Sequence, residues 1–196
     1  MEKDRVVFLK GLRGTVLRPM NKETDLDFFY RGINNPEANH YLQRYLPQTK
    51  ADEEKWFDAM VGRTDRLILA VETPDGELLG SVGLHEIDWR NQVGTMGIAL
   101  FAKDQWHKGY GKDAVMALLE YAFMRLNLRK VRSKVYSINQ RSLALHRSCG
   151  GVQEGTARQE IFIDGQFHDV LYFGIFRSEW EVFFASYKEG SVVKKS

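Results

Sequence analysis

Apolar residues along this chain follow two rhythms: strand-like alternation, and the three-then-four spacing of a helix face. Val6–Arg18 predicts a hairpin: VVFL, then Gly11 and Gly14 as turn residues, then TVLR, with Pro19 stopping the second strand. Thr24–Gly32 predicts a short helix carrying Leu26, Phe28, Phe29 and Tyr30, with Thr24 as its cap. Lys50–Val61 predicts another, opened by Thr49, with Trp56, Phe57 and Met60 on one face. The strands Leu67–Glu72, Leu78–Glu86 and Val93–Phe101 follow, separated by turns at Pro74-Asp75-Gly76 and Trp89–Gln92, as an antiparallel meander. Val115–Leu128 predicts a long helix, because Val115, Leu118, Leu119, Ala122, Phe123 and Leu126 share one face. Lys130–Tyr136 is the next strand, and strand–helix–strand order favours a parallel crossover. The chain closes with a short helix Asn139–Cys149, a hairpin of Glu160–Ile163 and Phe167–Phe176 about Asp164-Gly165, and a helix Ser178–Tyr187. No repeat or linker interrupts this order. It predicts one α+β domain over residues 1–188, a mixed sheet flanked by helices, and a frayed tail over 189–196.

Two stretches fall outside the pattern. Asn34–Pro47 is irregular and rich in polar and aromatic residues, either a wall of a binding site or a packed connection. Trp106–Ala114 reads WHKGYGKDA and joins a strand to a helix start. Gly109 and Gly111 let the backbone approach a ligand, Lys108 and Lys112 add positive charge, and N–H groups at a helix start favour an anion. The simplest ligand is a phosphate or pyrophosphate. The P-loop pattern fails, since Lys112 is followed by Asp113 and Trp106 stands where Gly is needed. Gly109, Gly111 and Ala114 match G-x-G-x-x-A of dinucleotide sites, but Ala102–Lys108 intervenes where the strand should turn directly into the helix.

Composition narrows the setting. No stretch approaches the ~20 apolar residues of a membrane span, and MEKDRVVFLK lacks the apolar block of a signal peptide. Cys149 is the only cysteine, which excludes an intrachain disulfide and makes the cytoplasm the default compartment. With 28 basic and 26 acidic residues the net charge is +2, no reason to expect nucleic acid. The local cluster of Arg125, Arg129, Lys130, Arg132 and Lys134 reads as a solvated face. No metal is expected.

The motifs, taken in order, resemble the GNAT N-acetyltransferase superfamily, in the branch of ribosomal-protein and spermidine N-acetyltransferases. The resemblance runs from about Phe8 to Arg177. It rests on FLKGLRGTVLRPM, LGSVGLHEIDWRN, WHKGYGKDA, NLRKVRSKVYSINQRSLALHRSCGG and QEGTARQEIFIDGQFHDVLYFGIF. It implies a central mixed sheet whose middle strands, Met96–Phe101 and Lys130–Tyr136, splay apart. It implies acetyl-CoA as cosubstrate, CoA as product and a primary amine as acceptor, in a protein that is compatible with homo-oligomer formation. Pantetheine would pair with the strand edge at Leu100, Phe101 and Ala102. The pyrophosphate would rest on Trp106, His107, Lys108, Gly109, Tyr110, Gly111 and Lys112. Asn139 and Ser142 match the N-x-x-S that opens the family's second cofactor helix, where Asn139 also suits a cap.

The catalytic positions depart from the family. A Glu that often sits on the central strand is Thr95 here, which cannot accept a proton at neutral pH. The Tyr that often protonates the thiolate is His146, which suits either that acid, as a cofactor-side residue, or packing. The remaining base candidate is Glu86, flanked by His85 and Asp88; His85 and Glu86 alternate, so only one faces the cleft, and Glu86 is the expected one. A catalytically weak acyl-CoA-binding module is the alternative to an enzyme, and a nicotinamide-dependent enzyme is a third reading.

Overall fold

The structure is a computed structural model that describes residues 6–42 and 44–192. Its strands are β1 (Leu9–Lys10), β2 (Val16–Pro19), β3 (Leu67–Glu72), β4 (Leu78–Asp88), β5 (Val93–Leu100), β6 (Lys130–Tyr136), β7 (Val152–Ile163) and β8 (Gln166–Phe176). Among the described residues they form one sheet in the order β1-β2-β3-β4-β5-β6-β8-β7, antiparallel except for the parallel pair β5–β6. The expected meander and crossover are both present.

The helices are α1 (Lys22–Ile33), α2 (Pro36–Asn39), α3 (Lys50–Asp58), α4 (Tyr110–Met124), α5 (Gln140–Ser148) and α6 (Arg177–Val192). Boundaries moved where a cap outweighed the apolar pattern. The Asn21 side chain accepts the Glu23 N–H, so α1 starts before Thr24. Thr49 and Asp52 form a reciprocal capping box at α3. Gly109, left-handed at φ 90°, starts α4 at Tyr110 rather than Val115, which shortens the glycine loop. The irregular Asn34–Pro47 segment contains α2, capped by Asn35 with Pro36 in the first turn. β7 begins at Val152, well before Glu160, because register shifts between Gln153/Gly155 and Ala157/Ile161 break its alternation. α6 runs through Val192, across the first part of the expected tail; residues 193–196 lie outside the described residues.

The two faces of the sheet carry different cores. On one, α4 presents Ala114, Leu118, Leu119, Ala122 and Phe123, all inaccessible to solvent, and α6 adds Trp180, Phe184 and Tyr187. On the other, α1 and α3 bury Leu26, Phe29 and Phe57, with Phe101 packed against them. Arg18 on β2 binds both oxygens of Asp25 at 2.8 Å and Glu72 at 2.6 Å, which fixes α1 to the sheet. Among the described residues, no helix is long and apolar enough to cross a membrane.

Candidate active site

The site begins where β5 leaves β6. The two strands pair only at Val93–Lys130, Gly94–Val131 and Thr95–Arg132. On its other edge β5 stays paired with β4 up to Gly80–Leu100. The Phe101 N–H donates to the Leu79 carbonyl, which sets the alternation of that ladder. Odd-numbered residues of β5 turn their backbone groups to β4, and Met96, Ile98 and Leu100 turn theirs to the gap. A β-bulge between His85 and Asp88 lies opposite Gly94, beside the point of separation, and bulges increase local twist. The gap opens a cavity of about 840 Å³.

The expected strand-edge contacts need one correction. Phe101 and Ala102 both donate their N–H to Leu79 O, at 2.8 and 3.3 Å, because the chain turns away after Leu100. Leu100 therefore keeps its place at the gap, with Ile98, while the amides of Phe101 and Ala102 are occupied. The Leu100 carbonyl accepts the Trp106 indole N–H at 3.2 Å.

The glycine loop keeps its amides free. His107 and Gly109 are both left-handed, at φ 64° and 90°, and the first intrahelical bond is Asp113 N–H to Gly109 O. Among the described residues, no protein acceptor is bonded to the backbone N–H groups of His107 to Lys112. Six successive donors at the start of a fifteen-residue helix form an anion cradle. The lysine side chains go elsewhere: Lys108 donates to Gln105, and the Lys112 ammonium lies over the Phe183 and Tyr187 rings. Lys108 and Ala102 do not line the cavity, whereas Trp106, His107, Gly109, Tyr110, Gly111 and Lys112 do.

Further positive charge comes from residues that the motif does not contain. An added Cβ at Gly109 would lie 3.4 Å from the Arg13 guanidinium, and the Arg141 guanidinium stacks on Trp106 at 4.1 Å. Asp113 positions Arg13: its buried carboxylate accepts the Arg13 and Thr15 N–H groups and the Tyr187 hydroxyl. This tie joins the β1–β2 turn to the start of α4 across 100 residues of sequence, so local patterning carries no sign of it.

α5 supplies Asn139, Ser142 and His146 to the same cavity. The Asn139 side chain caps α5 by accepting the Ser142 N–H. His146 is 4% exposed, and its Nδ1 lies 2.7 Å from the Ser142 carbonyl. A carbonyl only accepts, so Nδ1 carries the hydrogen. Nε2 is then a bare lone pair, buried without a partner. Burial pulls the His146 pKa down, against the raising effect of the Ser142 bond. In this tautomer the ring presents an acceptor at Nε2 toward the cavity.

The base candidates exchange places. Glu86 takes a left-handed backbone at φ 48° in the bulge, its side chain is 67% exposed, and it bonds Thr95 at 3.2 Å and Arg132 at 3.4 Å. It does not line the cavity; His85 does. An added Cβ at Gly97, on the diverging strand, would lie 3.2 Å from His85 Nε2. Burial first, and the Arg66 charge second, hold the His85 pKa below the usual imidazole value, so the ring is neutral at pH 7. Among the described residues, no cluster of three or more His, Cys, Asp or Glu is arranged to hold a metal.

Comparison with known proteins gives the same assignment from outside. The family described as "Acetyltransferase (GNAT) domain" matches residues 15–152. The N-acetyltransferase YokL of Bacillus subtilis is 30% identical over 151 residues, covering 76% of this chain and 81% of the relative. Spermidine N(1)-acetyltransferase of Vibrio cholerae is 28% identical over 169 residues, covering 82% and 97%. The crystal structure of V. cholerae spermidine N-acetyltransferase with CoA and spermine superimposes at a TM-score of 0.79 and 26% identity, over 85% of this chain and 98% of that one. Fold and site define an acetyltransferase that uses acetyl-CoA. The chain belongs to the GNAT family.

Proposed function

We propose that this enzyme transfers the acetyl group of acetyl-CoA to a primary amine, with His85 as the base. The observation that carries the reading is His85, neutral, half-buried and set against Gly97 where the strands part. The free N–H groups of His107–Lys112, with Arg13 and Arg141, suit the coenzyme's phosphates. The gap-facing backbone of Met96 and Ile98, with the Leu100 N–H, suits the amides of pantetheine as an added strand. Bound acetyl-CoA supplies a thioester, whose thiolate leaves near pKa ~8.5 without strong acid assistance. The amine nitrogen attacks the carbonyl carbon, the C–S bond breaks, and the proton lost by nitrogen passes to His85 Nε2.

The relatives named for spermidine and ribosomal acceptors support an amine substrate. The dodecameric V. cholerae structure supports self-association of this chain. The test is release of free thiol on mixing with acetyl-CoA and a panel of amines. His85→Gln should lower kcat by roughly 10² to 10⁴, the range of general-base catalysis. Because the His85 pKa is lowered, wild-type kcat/KM, referred to the unprotonated amine, should lose activity only below the usual imidazole range, as the ring protonates. His85→Gln should lack that inflection. Wild-type turnover in the variant would remove His85 from the mechanism. Binding of CoA with no acetylation of any amine would instead favour a coenzyme-binding module.

A further inference from the structure

Glu53 is a buried carboxyl that no described residue satisfies. It lies one turn into α3 and is 7% exposed, yet it lines the cavity, and among the described residues its carboxylate takes part in no hydrogen bond or ion pair. Burial raises its pKa, and Arg44, also on the cavity wall, opposes that through space without bonding to it. Around it the structure is well determined: the Thr49–Asp52 capping box fixes the first turn of α3. Trp56 and Phe57, three and four residues on, share its face, and Phe57 packs against Phe29. A carboxyl held this firmly on the cavity wall, opposed only through space by Arg44 and bonded to no described side chain, is placed to take a cationic ligand from the cavity. The other acids on that wall are engaged: Glu37 pairs with Lys103, and Glu160 accepts the Tyr172 hydroxyl.

Resting on the acetyltransferase reading above, we propose that Glu53 is the ammonium subsite of the acceptor pocket. It holds a second, unreacted cationic nitrogen while the first is acetylated. Glu53 is then a specificity-determining residue: it selects acceptors by charge and takes no proton from the attacking amine.

The comparison of 1,4-diaminobutane with butylamine tests this, since the two differ by the second nitrogen. A charge-assisted bond in a buried site corresponds to about ten- to a hundredfold in kcat/KM, carried by KM, in favour of the diamine. Glu53→Gln should bring the two substrates within about threefold by raising KM for the diamine. Glu53→Asp, which keeps the charge and withdraws it by one methylene, should lose part of the preference while melting at the wild-type temperature. Equal kcat/KM for the two amines in the wild type would overturn the proposal. So would a Glu53→Gln variant that loses kcat on both, the mark of a catalytic or purely structural role. If no amine is acetylated, the function proposed above fails on its own, and calorimetry still decides the subsite. Titration of 1,4-diaminobutane into the CoA-saturated protein should give binding that Glu53→Gln abolishes; absence of binding to the wild type overturns it.

Discussion

Of two neighbouring residues on β4, His85 lines the cavity and Glu86 stands outside it. Alternation correctly implied that only one of His85 and Glu86 could face the cleft, but nothing local marks the bulge that turns Glu86 out at φ 48°. His85 pairs with Thr95 across the ladder and lines the cavity. Thr95, where an acid was missed, instead binds Glu86 and Arg132. His146 was placed correctly on its helix and against the cavity, while its tautomer depends on a 2.7 Å contact that only coordinates reveal. His146→Phe keeps a ring against Phe173 and removes the buried acceptor. We expect kcat to fall about tenfold, with CoA affinity held within about twofold. Unchanged kcat would leave His146 as a packing residue.

At the scale of elements, the glycine loop works through its backbone. Its lysines drew attention in the sequence, yet their side chains bind Gln105 and the rings of α6, and the charge beside the cradle comes from Arg13. Asp113 makes that arrangement possible, and Gly11 must lack a side chain because an added Cβ would lie 2.2 Å from the Asp113 carboxylate. Asp113→Ala strands two backbone N–H groups and the Tyr187 hydroxyl. At roughly 1–3 kcal/mol for each buried unpaired donor, urea unfolding should show a loss on the order of 3 kcal/mol. Weaker CoA binding should accompany it, since Arg13 and the start of α4 lose their common anchor. A variant with wild-type stability would show that water replaces the carboxylate at that turn.

For the molecule as a whole, the split sheet is the organising feature, because its gap brings α1, α3, the glycine loop and α5 onto one cavity. CoA should stabilise the protein by about 2.7 kcal/mol at a hundred times its Kd, which raises Tm by roughly 5–10 °C in a chain of this size. NAD should not; an equal shift with NAD would revive the G-x-G-x-x-A reading of Gly109, Gly111 and Ala114. The sequence by itself determined the meander, the crossover, the helix faces and the glycine cradle. Each is written in the spacing of residues a few positions apart, and local spacing is what hydrophobic patterning and caps respond to. Only the tertiary structure decided that Arg13 meets Gly109, that His85 rather than Glu86 lines the cavity, and that Glu53 faces the cavity with no described side chain bonded to it. Those facts arise from a bulge and from contacts between distant segments, where shape and burial select the partner and sequence spacing holds no record of it.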